Sequence, residues 1–193
     1  MAIDRLAAEK AMGDFLSALG VSEATSVDLT DTPRRVVEAY SDDFLSGYDT
    51  DLDWLLTDGS EPSGGRELGI VVVRGIDVTT LCPHHLMPSM GEATVAYLPG
   101  SRILGLGTLA RLVEAFARRL SLQETIGEQV VATLMGHGAK GAHCRIELWH
   151  SCLSARGARQ SRARVLTVAS AGELQTNEGR SRLNLALSDE ERS

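Results

Sequence analysis

The residues of this chain with the most evident chemistry are cysteines and histidines grouped in two short segments. Residues 82–85 are Cys-Pro-His-His, and residues 150–152 are His-Ser-Cys. Together they hold two of the three cysteines and three of the five histidines. Thiolate sulfur and imidazole nitrogen are preferred zinc ligands. We therefore predict a Zn²⁺ site built by Cys82, His85 and Cys152. Because three protein ligands leave a fourth position for water, the site is predicted to be catalytic rather than structural.

The spacing of these residues supports the ligand assignment. Cys82 and His85 are three apart, so on one helical turn they share a face, whereas His84 points elsewhere. His150 and Cys152 are two apart and would share a face on a strand. His84 and His150 then flank the metal as candidate proton-transfer groups. Each residue alone also has a structural explanation, because free cysteines are usually small buried hydrophobes and lone histidines often satisfy hydrogen bonds in a core.

The length and composition of the chain, whose helices and strands must position these residues, are typical of a globular protein. Its 193 residues, 43% hydrophobic and 23% charged, suffice for one domain with its own core. The longest apolar run, residues 70–73, is far too short to span a bilayer. The N-terminus lacks the pattern of a signal peptide. Three cysteines do not pair evenly, so we expect a reducing, cytoplasmic location.

The charge pattern distinguishes between kinds of ligand. A net charge of −7 argues against general binding of nucleic acid. A local basic cluster nevertheless suggests a specific anionic ligand, although a solvated strand face rich in arginine is equally consistent with it. The cluster comprises Arg145, Arg156, Arg159, Arg162 and Arg164. The sequence does not decide whether Arg159, Arg162 and Arg164 contact ligand or solvent.

The hydrophobic periodicity indicates an α+β protein, because predicted strands and helices fall in separate runs rather than alternating as in a doubly wound sheet. Residues 57–67 have the composition of a loop, and the last twenty residues are expected to be poorly ordered. Helices are predicted at about 3–19, from Thr32 to Gly47 with Thr32 as its cap, at 107–119 and at 124–134. Strands are predicted at 70–78, 93–98, 142–150 and 162–169.

Six short sequence motifs occur along the chain in the same order as in a known protein family. They are Asp31-Thr32-Pro33-Arg34-Arg35, Cys82-Pro83-His84-His85, residues 105–111 (GLGTLAR), residues 118–124 (RRLSLQE), His150-Ser151-Cys152 and Arg156-Gly157. In these motifs and their spacing the chain resembles the GTP cyclohydrolase I family from about Ala8 to Leu174.

The resemblance implies a tunnelling fold (T-fold): an antiparallel sheet with helices packed on one face, preceded by an N-terminal helical extension. The domain limits it suggests are a helical region at 1–56, a catalytic domain at 68–174 and a polar tail at 175–193. It also implies a homo-oligomeric ring, typically a decamer, with sites between subunits. The implied reaction is zinc-dependent hydrolysis of the imidazole ring of GTP, which releases formate and forms 7,8-dihydroneopterin triphosphate for pterin or deazapurine synthesis.

The same resemblance assigns roles to individual residues. His84 and His150 would transfer protons, while Glu124, assisted by Gln123, would accept the two N–H groups on the edge of guanine. Without the family, Glu124 is better explained as an acidic residue in the first turn of a helix. The planar fork of arginine suits phosphate oxygens. The implied triphosphate ligands are Arg111, Arg156 and Arg35, with Arg35 reaching in from a neighbouring subunit.

The chain departs from the family at functional positions. Gly107 and Thr108 replace a serine–lysine pair, and a lost charge-assisted hydrogen bond would cost about 1.5–3 kcal/mol of binding. Pro83 replaces a glutamate and stiffens the ligand loop. Two alternatives therefore stay open: the same chemistry on a purine with fewer phosphates or a modified base, or a non-catalytic zinc-stabilised paralogue. The retention of His84 and His150 argues against the second.

Overall fold

The computed structural model describes residues 2–21 and 27–188. Its helices are α1 (Arg5–Ala18), α2 (Thr32–Glu38), α3 (Leu52–Asp58), α4 (Leu106–Ala117), α5 (Gln123–Gly136), α6 (Ser151–Ser154) and α7 (Asn177–Ser188). Its strands are β1 (Ser60–Pro62), β2 (Val71–Leu81), β3 (Pro88–Leu98), β4 (Arg102–Leu104), β5 (Gly141–His150) and β6 (Val165–Gly172). The predicted α+β class is confirmed.

The main sheet is antiparallel, with its four strands in the order β2-β3-β5-β6. Its register sets Ser89 on β3 opposite His150 on β5. The pairing of β2 with β3 shifts between Val73 and Ile76. Gly75 lies at this bulge with φ of 64°, a conformation that glycine adopts without steric cost. The antiparallel pairing thus brings the last residues of β2 and β5 and the first residues of β3 together at one end of the sheet.

The core lies between this sheet and helices α4 and α5, which pack on one of its faces. Alternation along β3 points Ala93, Val95 and Tyr97 into this core, and β5 contributes Cys144 and Ile146 from the same side. The helices contribute Leu109, Leu112, Val113, Ile126, Val130 and Leu134. Helices on one face of an antiparallel sheet are the predicted arrangement.

The N-terminal region forms a separate helical arm. Helix α1 packs on α2 and buries none of its own residues completely. The prediction that Thr32 caps the second helix is wrong, because Asp31 takes the cap position and Thr32 starts the helix. The helix also ends earlier than predicted, since a π-helical turn, Ala39–Phe44, follows it. A Cβ on Gly47 would collide with the carbonyl oxygen of Ala115, so glycine permits the arm to dock on α4.

The C-terminal segment is better ordered than its composition suggests. The expectation of poor order is wrong for residues 177–188, which form α7, while residues 189–193 lie outside the described part. Leu183 is only 4% exposed, and Arg74 donates a 2.6 Å hydrogen bond to the carbonyl oxygen of Ala186. Burial and this bond anchor a segment that sequence composition marks as polar. The domain limits stay predictions.

Two smaller features complete the fold. The predicted loop at 57–67 contains the short strand β1, which pairs antiparallel with β4. Among the described residues, every helix is too short or too polar to traverse a lipid bilayer.

Candidate metal centre

One half of the centre is a tight turn that follows the last residue of β2. The carbonyl oxygen of Cys82 accepts a 2.8 Å hydrogen bond from the backbone N–H of Leu86, and the N–H of Cys82 donates to Met87 at 3.0 Å. The turn is a single helical turn, as the spacing of Cys82 and His85 predicts. Leu86 adopts φ of 53°, which is unfavourable for leucine. The Tyr40 hydroxyl donates a 2.8 Å hydrogen bond to the Leu86 carbonyl oxygen and so ties the turn to the N-terminal arm.

The other half of the centre is the junction of β5 with α6. His150 is the last residue of β5, whereas Cys152 lies in the four-residue helix α6. The prediction that both share the face of one strand is therefore wrong in its geometry. The strand ends because Ser151 turns away, with its hydroxyl donating a 2.5 Å hydrogen bond to the carbonyl oxygen of Pro88. That bond fastens the Cys152 turn to β3.

The two halves bring three possible metal ligands together. The ligand atoms of Cys82, His85 and Cys152 all lie within 4.8 Å of one another, and Cys82 Sγ is 4.0 Å from His85 Nδ1. Zn–S bonds of about 2.3 Å and Zn–N bonds of about 2.0–2.1 Å in a tetrahedron separate ligand atoms by about 3.4–3.8 Å. A closure of about 1 Å or less would therefore place all three on one ion. The group can hold a metal.

The electrostatics of the thiols favour a cation at this position. Burial raises the pKa of Cys152 above its ordinary value, and the adjacent Cys82 raises it further, whereas the positive charge of Arg156 lowers it. The neighbouring Cys82 thus disfavours the ionised form of Cys152. A cation between them removes that repulsion. The donor set and its spacing fit a soft divalent metal such as zinc.

His150 is held beside this group through both ring nitrogens. Its Nδ1 lies 2.9 Å from Ser89 Oγ, and its Nε2 lies 2.8 Å from Gln123 Oε1. Burial lowers the pKa of His150, while the carboxylate of Glu124 acts in the opposite direction. The imidazole is therefore favoured in its neutral form within a fixed frame of hydrogen bonds.

Gln123 takes a different position from the one expected of a substrate ligand. It is only 4% exposed, and its side-chain nitrogen donates to the carbonyl oxygens of Ile146 and Val165, each at 2.9 Å. Its amide is thus engaged inside the protein and contacts His150. Glu124, next to it in the first turn of α5, is exposed. Of the predicted pair, Glu124 is the side chain available to an incoming ligand.

His84 lies next to the metal group without joining it. Its side chain is exposed, and its ring centroid is 6.3 Å from that of His85, with the two planes at 81°. The ring therefore has access to solvent and to any molecule bound near the metal. This position is compatible with the predicted proton transfer.

The predicted phosphate ligands are distributed over three places. Arg156 is close enough for its charge to act on Cys152. Arg111 is exposed and lines two open cavities of about 430 and 460 Å³ beside α4. Arg35 is exposed on α2 and forms a 3.3 Å ion pair with Asp31. The described contacts of Arg111 and Arg35 do not include the metal group.

The departures from the expected motifs also have a structural explanation. Thr108 is 7% exposed and donates a 3.1 Å hydrogen bond to the Gly59 carbonyl oxygen, so it fastens α4 to the end of α3. Gly107 is exposed, with open space around its Cα. Neither provides a cation. Pro83 takes a position in the Cys82 turn where no N–H donor is used, because the turn is closed by the N–H groups of His85 and Leu86.

Two residues of the centre do not follow from the sequence motifs. Ser89 contacts His150 from the neighbouring strand, and Tyr40 supports the metal turn from the N-terminal arm. Ser89 had no signal in the sequence, because its pairing with His150 follows from the register of β3 on β5 in the folded sheet. Tyr40 is 46 positions from Leu86 and had no signal either.

Comparisons with known proteins agree on one family. A family model described as GTP cyclohydrolase I matches residues 8–188. GTP cyclohydrolase 1 of Chromobacterium violaceum is 38% identical over 175 residues, which cover 90% of this chain and 83% of that protein. GTP cyclohydrolase 1 of Campylobacter lari is 38% identical over 172 residues, 88% of each chain. That of Campylobacter jejuni subsp. doylei is 41% identical over 152 residues, 78% of each chain.

A comparison of folds gives a weaker likeness. The archaeosine synthase QueF-Like in its apo form is similar with a TM-score of 0.45 and 15% identity, over 55% of this chain and 97% of that one. The assignment to a family rests on the sequence relatives.

Proposed function

Because the chain belongs to the GTP cyclohydrolase I family, we propose that it hydrolyses the imidazole ring of GTP. The reaction releases C8 as formate and yields 7,8-dihydroneopterin triphosphate. The observation that supports this function best is the convergence of Cys82, His85 and Cys152 within 4.8 Å, with His84 and His150 beside them. A structural metal site would have no use for the two additional histidines.

We propose zinc as the metal of this centre. Two thiols and one imidazole are a soft donor set, and three protein ligands leave a position for solvent. Zinc in such a site would lower the pKa of water to roughly 7, which provides a nucleophile for C8 at neutral pH. The three side chains would hold the ion. The turn hydrogen bonds of Cys82 position Cys82 and His85, and the bond of Ser151 to Pro88 positions Cys152.

The remaining residues would bind and orient the purine. The exposed carboxylate of Glu124 would accept the two N–H groups on the edge of guanine, a pairing that adenine cannot offer. His84, which is exposed, and His150, which is held by two hydrogen bonds, would move protons as the ring opens. Gln123 would support this step by holding His150.

The triphosphate would lie away from the metal and across a boundary between subunits. Arg156 is near Cys152, whereas Arg111 and Arg35 have their described contacts elsewhere on the chain. We propose that neighbouring subunits complete the site and that the oligomer is a ring, with ten subunits as our expectation. Strands β2 and β6 lie at the two edges of the main sheet. Edge strands left unpaired promote association, and closing a ring pairs them.

The described cysteines are all free, as suits a reducing compartment, and we propose a cytoplasmic location. The net charge of −7 gives no reason to expect a nucleic-acid partner.

A second candidate substrate has a specific observation in its favour. Thr108 is buried and bonded to Gly59, and Gly107 has no side chain, so this segment offers no cation to a phosphate. The same ring-opening chemistry on a purine with fewer phosphates, or on a modified base, is the alternative. Arg35, Arg111 and Arg156 favour GTP.

The experiment uses the full-length, zinc-loaded oligomer. It is incubated separately with GTP, GMP, guanosine and oxidised guanines, and formate and fluorescent pterin are measured. Formate and pterin from GTP support the proposal. Turnover of another purine alone supports the alternative. No turnover of any of them by a metal-replete ring refutes both and favours a non-catalytic paralogue.

A further inference from the structure

The amide of Gln123 has one possible orientation. Its side-chain nitrogen has two hydrogens, and the carbonyl oxygens of Ile146 and Val165 accept them, each at 2.9 Å. The opposite orientation would set the amide oxygen against two carbonyl oxygens and leave a buried residue with repulsive contacts. Oε1 of Gln123 therefore faces His150.

This orientation determines where the proton of His150 lies. Oε1 can only accept, so His150 Nε2, 2.8 Å away, must carry the hydrogen. A neutral imidazole with a proton on Nε2 has a lone pair on Nδ1. The hydroxyl of Ser89, 2.9 Å from Nδ1, is therefore the donor of that bond.

We propose that Ser89 is a positioning residue for the ring-opening reaction and that it acts through His150. By donating to Nδ1 it holds the imidazole so that the Nε2–H points toward the N-terminal end of α5, where Glu124 would hold the purine. Ser89 is 0% exposed and cannot itself contact a substrate. This inference rests on the function proposed above, because it assumes that His150 serves the reaction.

The sheet fixes the geometry of the group formed by Ser89, His150 and Gln123, which we call the clamp. Ser89 and His150 are direct cross-strand partners on β3 and β5, so the distance between their Cα atoms is set by the register. Gln123 comes from the first turn of α5 and is bonded to β5 and β6 through Ile146 and Val165. Functional side chains held by strands and helices keep their geometry better than those held by loops.

The test compares wild type with Ser89→Ala, which removes the hydroxyl, and Ser89→Thr, which retains it on a strand-compatible side chain. Zinc content and oligomer size are measured first for each protein. The kcat and KM for GTP are then determined separately. Magic-angle-spinning NMR of zinc-loaded, ¹⁵N-histidine protein without substrate, at about pH 8 where imidazole is neutral, reports which nitrogen carries the proton. The His150 signals are assigned by their loss in His150→Asn.

In wild type we expect the proton on Nε2 and a hydrogen-bonded lone pair on Nδ1. In Ser89→Ala the ¹⁵N chemical shift of His150 Nδ1 should move to the value of an imidazole nitrogen whose lone pair accepts no hydrogen bond. The kcat should fall about tenfold, the equivalent of one hydrogen bond, with zinc content unchanged and KM within about twofold. Ser89→Thr should retain both the wild-type resonance and most of the kcat.

Three results would overturn the inference. The first is a wild-type spectrum with the proton on Nδ1, which decides the question even if neither variant assembles. The second is a Ser89→Ala protein with wild-type kcat and an unmoved Nδ1 resonance. The third is loss of zinc from Ser89→Ala, which would make Ser89 a support of the metal group instead. Absence of GTP turnover in wild type would refute the proposed function, whereas the spectra still test the clamp itself.

Discussion

The substitution Cys152→Ala tests the metal centre most directly, and the chain contains its own control. Cys144 is the same residue type on β5, the strand that precedes α6, but it is fully buried in the core and lies outside the ligand group. Cys152→Ala and Cys144→Ala therefore remove the same atoms from one chain, one at the proposed metal and one away from it.

The expected magnitude follows from the number of ligands. Structural zinc sites with four protein ligands bind with about 10–16 kcal/mol of apparent free energy, or about 2.5–4 kcal/mol per ligand. Removal of one of the three ligands that converge within 4.8 Å should therefore weaken zinc binding by on the order of a hundredfold to a thousandfold. Cys144→Ala should leave the affinity unchanged, although its core contacts are reduced.

The assay is a competition between each protein and a chromophoric chelator over a range of zinc concentrations, followed by measurement of zinc per chain after dialysis. Wild type and Cys144→Ala should retain about one zinc per chain, whereas Cys152→Ala should lose it. If Cys152→Ala binds zinc with wild-type affinity, the assignment of this residue as a ligand is refuted. If Cys144→Ala loses zinc while Cys152→Ala keeps it, the reasoning from the geometry fails altogether.

Three further predictions follow from the same structure. His85→Ala should lose zinc, whereas His84→Ala, one position away, should keep it and lose turnover by about a hundredfold or more; equal zinc content in both would contradict the assignment. Tyr40→Phe removes the hydrogen bond to Leu86 and should weaken zinc binding by up to about tenfold, with Tyr48→Phe as the control. Burial raises the pKa of Cys144 to about 12 from 9.0. The folded state therefore keeps a proton that the unfolded state loses, and the free energy of unfolding should fall by up to about 1.4 kcal/mol per unit as pH rises from 9 to 12. In denaturant titrations at several pH values, the free energy of unfolding of Cys144→Ala should fall less steeply with pH than that of wild type. An equal slope in both proteins would show that Cys144 does not contribute.

The parts of the centre that were predictable from sequence are the local ones. Cys82 and His85 are three positions apart, and a single turn suffices to bring them together, so spacing alone carried the prediction. Cys152 was identified by its type, although the predicted strand geometry was wrong. The strand ends at His150, two residues before Cys152, and the hydrogen bond of Ser151 to Pro88 holds the chain where it leaves the strand.

The parts that were not predictable depend on contacts distant in sequence. The partner of Ser89 is decided by the register of β3 on β5, and register is a property of the folded sheet. Tyr40 belongs to the N-terminal arm, and its contact with Leu86 joins two segments that are far apart in the sequence. Helix α7 was missed because its order comes from Leu183 and Arg74 rather than from a strong apolar pattern.

The register of β3 on β5 has a further consequence for assembly of the native chain. Cys82 and Cys152 are 70 positions apart, and they meet only when these strands pair with Ser89 opposite His150. A slip of one residue would reverse the faces of the strand and carry His150 away from the helices. A metal bound to Cys82, His85 and Cys152 would therefore stabilise the correctly registered sheet over a slipped one. At a zinc concentration of 100 times Kd, the correctly registered state would gain about 2.7 kcal/mol over any misfolded state that does not form the metal group.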